Sequence, residues 1–203
     1  MIESVWDRIE SSRERWNVLN HPFYQQWNAG ELTDEALAYY SGQYRHAAVA
    51  VATMSEQVAN ALPDNAGLKQ HLAEEQDHVR VWDGFVNAVG GDTEAAANPE
   101  TAACVAEWTK NESTLATLAR LYAVESGQPE ISKTKRAGLL NHYGQVDGPA
   151  TEYFSIHAEM DVEHAAEARK LIEKLATDED ADEIVAAAES AMRANWRLLD
   201  GCC

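Results

Sequence analysis

The sequence predicts an all-α fold, a compact bundle of seven or eight helices. Three observations carry that reading. Apolar residues recur at helical spacing along nearly the whole chain, and no stretch shows the alternation of a half-buried strand. Glycine and proline fall at Asn20-His21-Pro22, Gly30, Pro63, Gly90-Gly91, Asn98-Pro99, Gly144 and Gly148-Pro149, leaving segments of helix length between them. The 203 residues are 45% hydrophobic, enough for a sizeable core, and no repeat, linker or composition shift divides them. One domain over residues 1–203 is therefore expected.

The elements follow in order. An amphipathic helix runs from about Glu3 to Val18 and stops before the turn at Asn20-His21-Pro22. After Gly30, Thr33 is placed to cap a long helix whose apolar stripe is Leu37, Tyr40, Tyr44, Val51 and Met54, and Pro63 breaks it. The next helix covers about Ala66 to Val89 and stops at Gly90-Gly91. Asn98-Pro99 starts a helix with Cys104 and Trp108, and Asn111 to Ser113 separates it from one carrying Leu118, Tyr122 and Glu125. Pro129 sits in the first turn of the following helix, a favoured place for proline, and Gly144 closes it. Gly148-Pro149 opens the helix of His157, Asp161 and His164, and a last helix spans about Ala181 to Leu199.

The formal charge is −18, from 34 acidic against 16 basic residues. Such a balance argues against binding nucleic-acid phosphates or an anionic membrane surface. No apolar run approaches the length of a membrane span, and the polar N-terminus lacks a secretory signal, so a cytoplasmic protein is expected. Three cysteines make no disulfide framework; Cys202 and Cys203 at the end of the chain read as a frayed, reduced tail.

The chemistry begins at His157, Asp161 and His164. On a helix turning 100° per residue these fall within roughly a 60° arc. Two imidazoles and a carboxylate on a buried face are costly unless compensated, and metal ions are the usual compensation. Upstream, Glu75 and His78 stand three residues apart and Glu74 and His78 four, the Glu-x-x-His spacing used where facing helices aim ligands into a bundle core. Glu125 follows the apolar run Leu121-Tyr-Ala-Val124 and so should face inward. A lone Glu-x-x-His is weak, but the set across three helices offers three imidazoles and three carboxylates, enough for two ions with open positions. Two divalent cations against three carboxylates leave a small positive balance that suits an anionic group or reduced dioxygen. Iron or manganese would supply one-electron chemistry, whereas zinc fits the donors but not oxidation. His71 lies on the side of its helix carrying His78 and reads as peripheral; His21, His46 and His142 read as capping, core or surface residues.

Several phrases resemble a known family. His21-Pro-Phe-Tyr-Gln-Gln-Trp-Asn-Ala-Gly-Glu-Leu-Thr33, Ala38-Tyr-Tyr-Ser-Gly-Gln-Tyr44, His78-Val-Arg-Val-Trp82, Tyr122-Ala-Val-Glu-Ser-Gly-Gln-Pro-Glu-Ile131, Lys135-Arg-Ala-Gly-Leu139 and His157-x-x-x-Asp161-x-x-His164 look like the heme-oxygenase-like helical fold. Within that superfamily, which includes thiaminase-like and pyrroloquinoline-quinone-synthase-like proteins, they most resemble the chlamydial CADD-like dimetal oxygenases, over roughly residues 18 to 200. The resemblance implies para-aminobenzoate formation for folate synthesis by a protein that consumes itself. Tyr24 would supply the aromatic ring and Lys135 the nitrogen, at a pair of ions (two iron, or iron with manganese) that activates dioxygen with an external reductant. It implies no heme and a homodimer. Metal ligands would be Glu75, His78, Glu125, His157, Asp161 and His164, with Glu74 as the alternative to Glu75.

Two departures stand out. Val124 occupies the place where relatives commonly have a tyrosine, and the first glutamate and histidine are closer by about a turn than in relatives. Three other readings stay open: a dimetal oxidase acting on a diffusible amino or fatty acid, a non-catalytic helical interaction protein, and a thiaminase-like hydrolase, for which Cys104 lacks a matching motif. Tyr24 can equally be core beside Phe23 and Trp27, and Lys135 can equally reach solvent from the Lys133-Thr-Lys-Arg136 surface.

Overall fold

The computed structural model describes residues 2–203, and among these every regular element is helical: α1 Ile2–Arg15, α2 Pro22–Ala29, α3 Asp34–Ala61, α4 Ala66–Ala88, α5 Pro99–Trp108, α6 Thr114–Glu125, α7 Gln128–His142, α8 Glu152–Leu175 and α9 Ala181–Asp200. The starts are written in capping side chains. Thr33 accepts from the Ala36 amide at 3.2 Å, Asn65 from Gly67 at 2.9 Å, Asn98 from Thr101 at 2.7 Å and Ser113 from Ala116 at 3.0 Å. Each satisfies an amide that the first helical turn leaves unpaired.

The centre of the bundle is α6, whose residues 116 to 125 are all buried. A helix buried on every face belongs inside, and α6 packs against α3, α8 and α9. α4 lies against α3 and α8, α7 against α2 and α8, α1 against α9, and α5 against α3 and α9. The core therefore forms where α3, α4, α6 and α8 turn their inner faces together.

Three local readings change. The stretch read as a turn at Asn20-His21-Pro22 starts a further short helix, α2: His21 Nδ1 accepts from the Phe23 amide at 3.1 Å, Pro22 fills the first turn, and Gly30 ends the helix at φ 70°. The first helix ends at Arg15 rather than Val18, and a 3-10 turn, Val18–Asn20, follows it. The tail is not frayed. Cys202 is buried, its amide donates to the Leu199 carbonyl at 2.9 Å, and Asn98 Nδ2 donates to the Gly201 carbonyl at 3.0 Å. Cys104, Cys202 and Cys203 carry free thiols. No described helix is long and apolar enough to cross a membrane.

Candidate metal centre

On α4, His71, Glu75 and His78 follow at spacings of four and three and so share one face. α8 presents His157, Asp161 and His164 in the same way, and α6 ends its buried run at Glu125. These residues converge between the three helices, and none is more than 8% exposed. The six ligand candidates Glu75, His78, Glu125, His157, Asp161 and His164 are thus brought together, while the alternative Glu74 stays outside.

Glu74 and Glu75 take different roles. Glu75 points inward, with Oε1 3.0 Å from His78 Nδ1 and 3.8 Å from His164 Nδ1. Glu74 stands outside and accepts from His164 Nε2 at 3.0 Å and from Gln70 Nε2 at 2.8 Å. That bond turns His164 Nδ1 toward the interior. His157 is held the same way, its Nδ1–H donating to the Tyr153 carbonyl at 2.7 Å, which leaves Nε2 facing the cluster. Outer partners that fix imidazole tautomer and tilt are the usual companions of metal-ligating histidines.

His71 is the residue that sequence reasoning set aside. Its Nε2 lies 2.9 Å from Glu125 Oε1 and 3.7 Å from Glu75 Oε1, and its ring stacks on His164 at 4.0 Å. The signal was the seven-residue separation from His78, two helical turns, with Glu75 on the same face between them.

The inward atoms are mostly unpartnered. His71 Nε2, His157 Nε2, His164 Nδ1 and both carboxylate oxygens of Glu125 and of Asp161 are buried without a hydrogen-bond partner. The protonation balance shows the same frustration. Burial raises the carboxyl of Glu125 above its ordinary value against the opposing contact of His71, and carries Asp161 up to about 7 against His164. Burial also pushes His157 down to about 4. It acts upward on Glu75 as well, but there His71 and His78 win and hold the carboxylate below its ordinary range. Raised carboxyls on Glu125 and Asp161 beside a lowered His157, and a His71 that Glu125 and Glu75 carry up to about 10 against burial, make a donor set suited to a cation. Two converging groups share Glu75: His71, Glu75 and His164, and Glu75, His78 and His157.

A cavity of about 10 Å³, near the volume that admits one water, borders the cluster and is lined in part by Val124, Gln128, Tyr153 and Asp161. Tyr122 does not reach it; its ring packs edge-on against Trp6 at 4.9 Å. Tyr24 and Lys135 lie beyond the cavity wall. Lys135 is buried, its Nζ 4.4 Å from the Tyr44 ring centroid, 5.3 Å from Tyr40 and 5.5 Å from Tyr24. Tyr24 Oη sits 3.5 Å from Tyr40 Oη. A row of rings joins this chamber to the cluster: Tyr40 to Tyr44 at 5.5 Å, Tyr44 to Trp82 at 5.0 Å, Trp82 to Tyr153 at 4.7 Å and Tyr153 stacked on His157 at 3.8 Å.

With this geometry in place, likeness to known proteins becomes informative. The family model described as "Iron-containing redox enzyme" matches residues 44–196. The chain belongs to that family. A protein of Nitrosomonas europaea named 4-aminobenzoate synthase is 35% identical, the match covering 96% of this chain and 89% of that protein. One of the same name from Chlamydia muridarum is 31% identical, covering 96% and 88%. A Shewanella denitrificans domain described as having a heme oxygenase-like fold superposes with a TM-score of 0.81 at 19% identity, covering all of this chain and 91% of that one, which establishes the same fold. As a member of the iron-containing redox enzyme family, the chain is an oxidoreductase, and the orphaned donors between α4, α6 and α8 fit the metal that the family name requires.

Proposed function

We propose that this protein forms 4-aminobenzoate, using dioxygen at a pair of ions, with its own Tyr24 as the source of the ring and its own Lys135 as the source of the nitrogen. Glu75, His78, Glu125, His157, Asp161 and His164 hold the ions, two iron or one iron with one manganese, and Glu74 steadies His164 from outside. Iron supplies, when bound, the one-electron chemistry with dioxygen that side chains lack.

The observation that carries the reading is the lysine. Its amine is enclosed by the rings of Tyr24, Tyr40, Tyr44, Trp82 and Phe154, each centroid within 5.6 Å. Burial pulls its pKa down to about 7, so near neutral pH much of it is free amine, the nucleophilic form. Burial also holds the Tyr24 phenol well above its ordinary value, so the ring keeps its proton until it is oxidised, and its Oη lies 3.5 Å from Tyr40 Oη, where either hydroxyl can donate to the other. The row of rings from Tyr40 to Tyr153 links the chamber to the cluster, and the names of the relatives support the same product for a match that runs along nearly the whole chain. The small cavity at the cluster leaves little room for a diffusible fatty acid. The reading takes residues 1–203 as one catalytic domain, working as a homodimer in the cytoplasm with an external reductant and no nucleic-acid or membrane partner.

The test uses purified protein with ferrous iron or manganese, reductant and dioxygen, and no added substrate. The expected result is 4-aminobenzoate by mass spectrometry, at no more than one equivalent per chain, and its loss in Tyr24→Phe and in Lys135→Arg. Undiminished product from either variant removes that residue from its role. Oxygen uptake continuing far past one equivalent with an added amino or fatty acid would favour a conventional oxidase instead.

A further inference from the structure

We infer that His71 is a seventh protein ligand of the ion pair, binding the same ion as Glu125 and His164. The inference rests on the dimetal reading above and adds an imidazole to it. His71 Nε2 lies 2.9 Å from Glu125 Oε1, within ion-pair distance, yet the two are not aligned for a hydrogen bond, and both atoms are buried without a hydrogen-bond partner. Two orphaned polar atoms at that separation, neither directed at the other, are aimed at a common third point. His164 Nδ1 shares that point: the His71 and His164 rings stack at 4.0 Å, and the donor atoms of His71, Glu75 and His164 lie within 4.8 Å of one another.

The arrangement has a symmetry that the sequence stripe does not show. Glu75 stands between two groups and contributes to both. One ion then receives the imidazoles of His78 and His157, and the other those of His71 and His164. Without His71 the second ion would have a single imidazole and one orphaned buried nitrogen would remain beside it. A neutral imidazole adds a donor without adding charge, so the small positive balance of two divalent ions against three carboxylates is preserved. The alternative role, an outer histidine donating to Glu125, needs an aligned bond, and that is the bond the structure lacks.

The test reads metal uptake rather than turnover. Metal-free full-length protein is titrated with Mn(II), free Mn(II) being followed by electron paramagnetic resonance. Wild type is expected to bind two ions; His71→Ala and His71→Gln are expected to keep one and weaken the other by at least about tenfold, the low end of what even an outer partner of a ligand contributes. His71→Glu, which restores a donor of the size of Gln, is expected to recover the second ion. The Gln and Glu variants form a matched pair that decides the matter even where the Ala variant fails to fold. Two equally tight ions in His71→Gln overturn the proposal, since Gln can still donate to Glu125 but is a poor ligand. Fewer than two ions in wild type overturn the dimetal reading itself, and this inference with it.

Discussion

Lys135 is the residue whose environment is most at odds with its chemistry, and its stability effect can be separated from its role. Burial holds its pKa near 7 in the folded chain, against an ordinary value of 10.5. Between those values the unfolded chain binds a proton that the folded chain does not, so this group makes stability rise with pH across that window. Below about pH 7 the full penalty is present; toward pH 10.5 it disappears. Lys135→Met, which keeps the length and removes the charge, is expected to be more stable than wild type at pH 7 by a few kcal/mol, since each tenfold change in proton affinity is worth roughly 1.4 kcal/mol. The gap should narrow as pH rises from 7 to 10. Urea unfolding of both proteins at matched pH values measures it, and a gap independent of pH would show that the amine finds compensation inside. The inward lysine was only half legible in the sequence, because Lys133-Thr-Lys-Arg136 reads equally well as a solvated face. What decides it is α7 turning Lys135, rather than Lys133 or Arg136, toward α3.

At the scale of elements, α2 and α7 meet through a contact that depends on a missing side chain. Gly138 lies directly against the Trp27 indole, so a Cβ there would overlap its Nε1 and Cδ1. The indole N–H donates to the Lys135 carbonyl at 3.2 Å, and Trp27 is fully buried. Gly138→Ala removes a helix-weakening glycine but forces Trp27 aside; overpacking of this kind costs roughly 1–3 kcal/mol, more than the propensity gain of about 1. The expected outcome is a net loss of stability by chemical denaturation together with a red-shifted Trp27 fluorescence. A variant at least as stable as wild type would mean that α2 moves freely against α7. This element also shows where sequence pattern reaches its limit. The α8 stripe was legible because three ionisable groups fell on one buried face, and the long helices because their apolar period ran for several turns. α2 has only eight residues, and the Pro22 that starts it looks like a turn signal when nothing shows that His21 caps it. His71 was missed although its spacing to Glu75 and His78 repeats that of His157, Asp161 and His164; what the sequence could not show is its contact with Glu125, which comes from another helix, α6.

For the molecule as a whole, the ionisable cluster between α4, α6 and α8 and the surplus of acid on the surface set two separate electrostatic loads. The net charge of −18 repels itself across the surface, and salt or any divalent cation relieves that load by screening. The buried donors are different, because they lie out of reach of the ion atmosphere and require a bound cation. Metal that binds only the folded chain stabilises it by mass action, by about 2.7 kcal/mol per site at a hundredfold excess over the dissociation constant. For a chain of this size each kcal/mol moves the melting temperature by about 2–4 °C, so two filled sites should raise it by roughly 10–20 °C. The expected outcome is that ferrous iron or manganese added to chelator-treated protein produces such a rise in a thermal melt. Magnesium, a hard ion that favours oxygen donors over imidazole, should produce only the surface effect. Salt separates the two loads: at 1 M, where screening acts over about 3 Å, the magnesium effect should vanish while the manganese effect persists. Equal shifts from magnesium and manganese, or a manganese shift abolished by salt, would place the cations on the acidic surface and leave the cluster between α4, α6 and α8 without its ions.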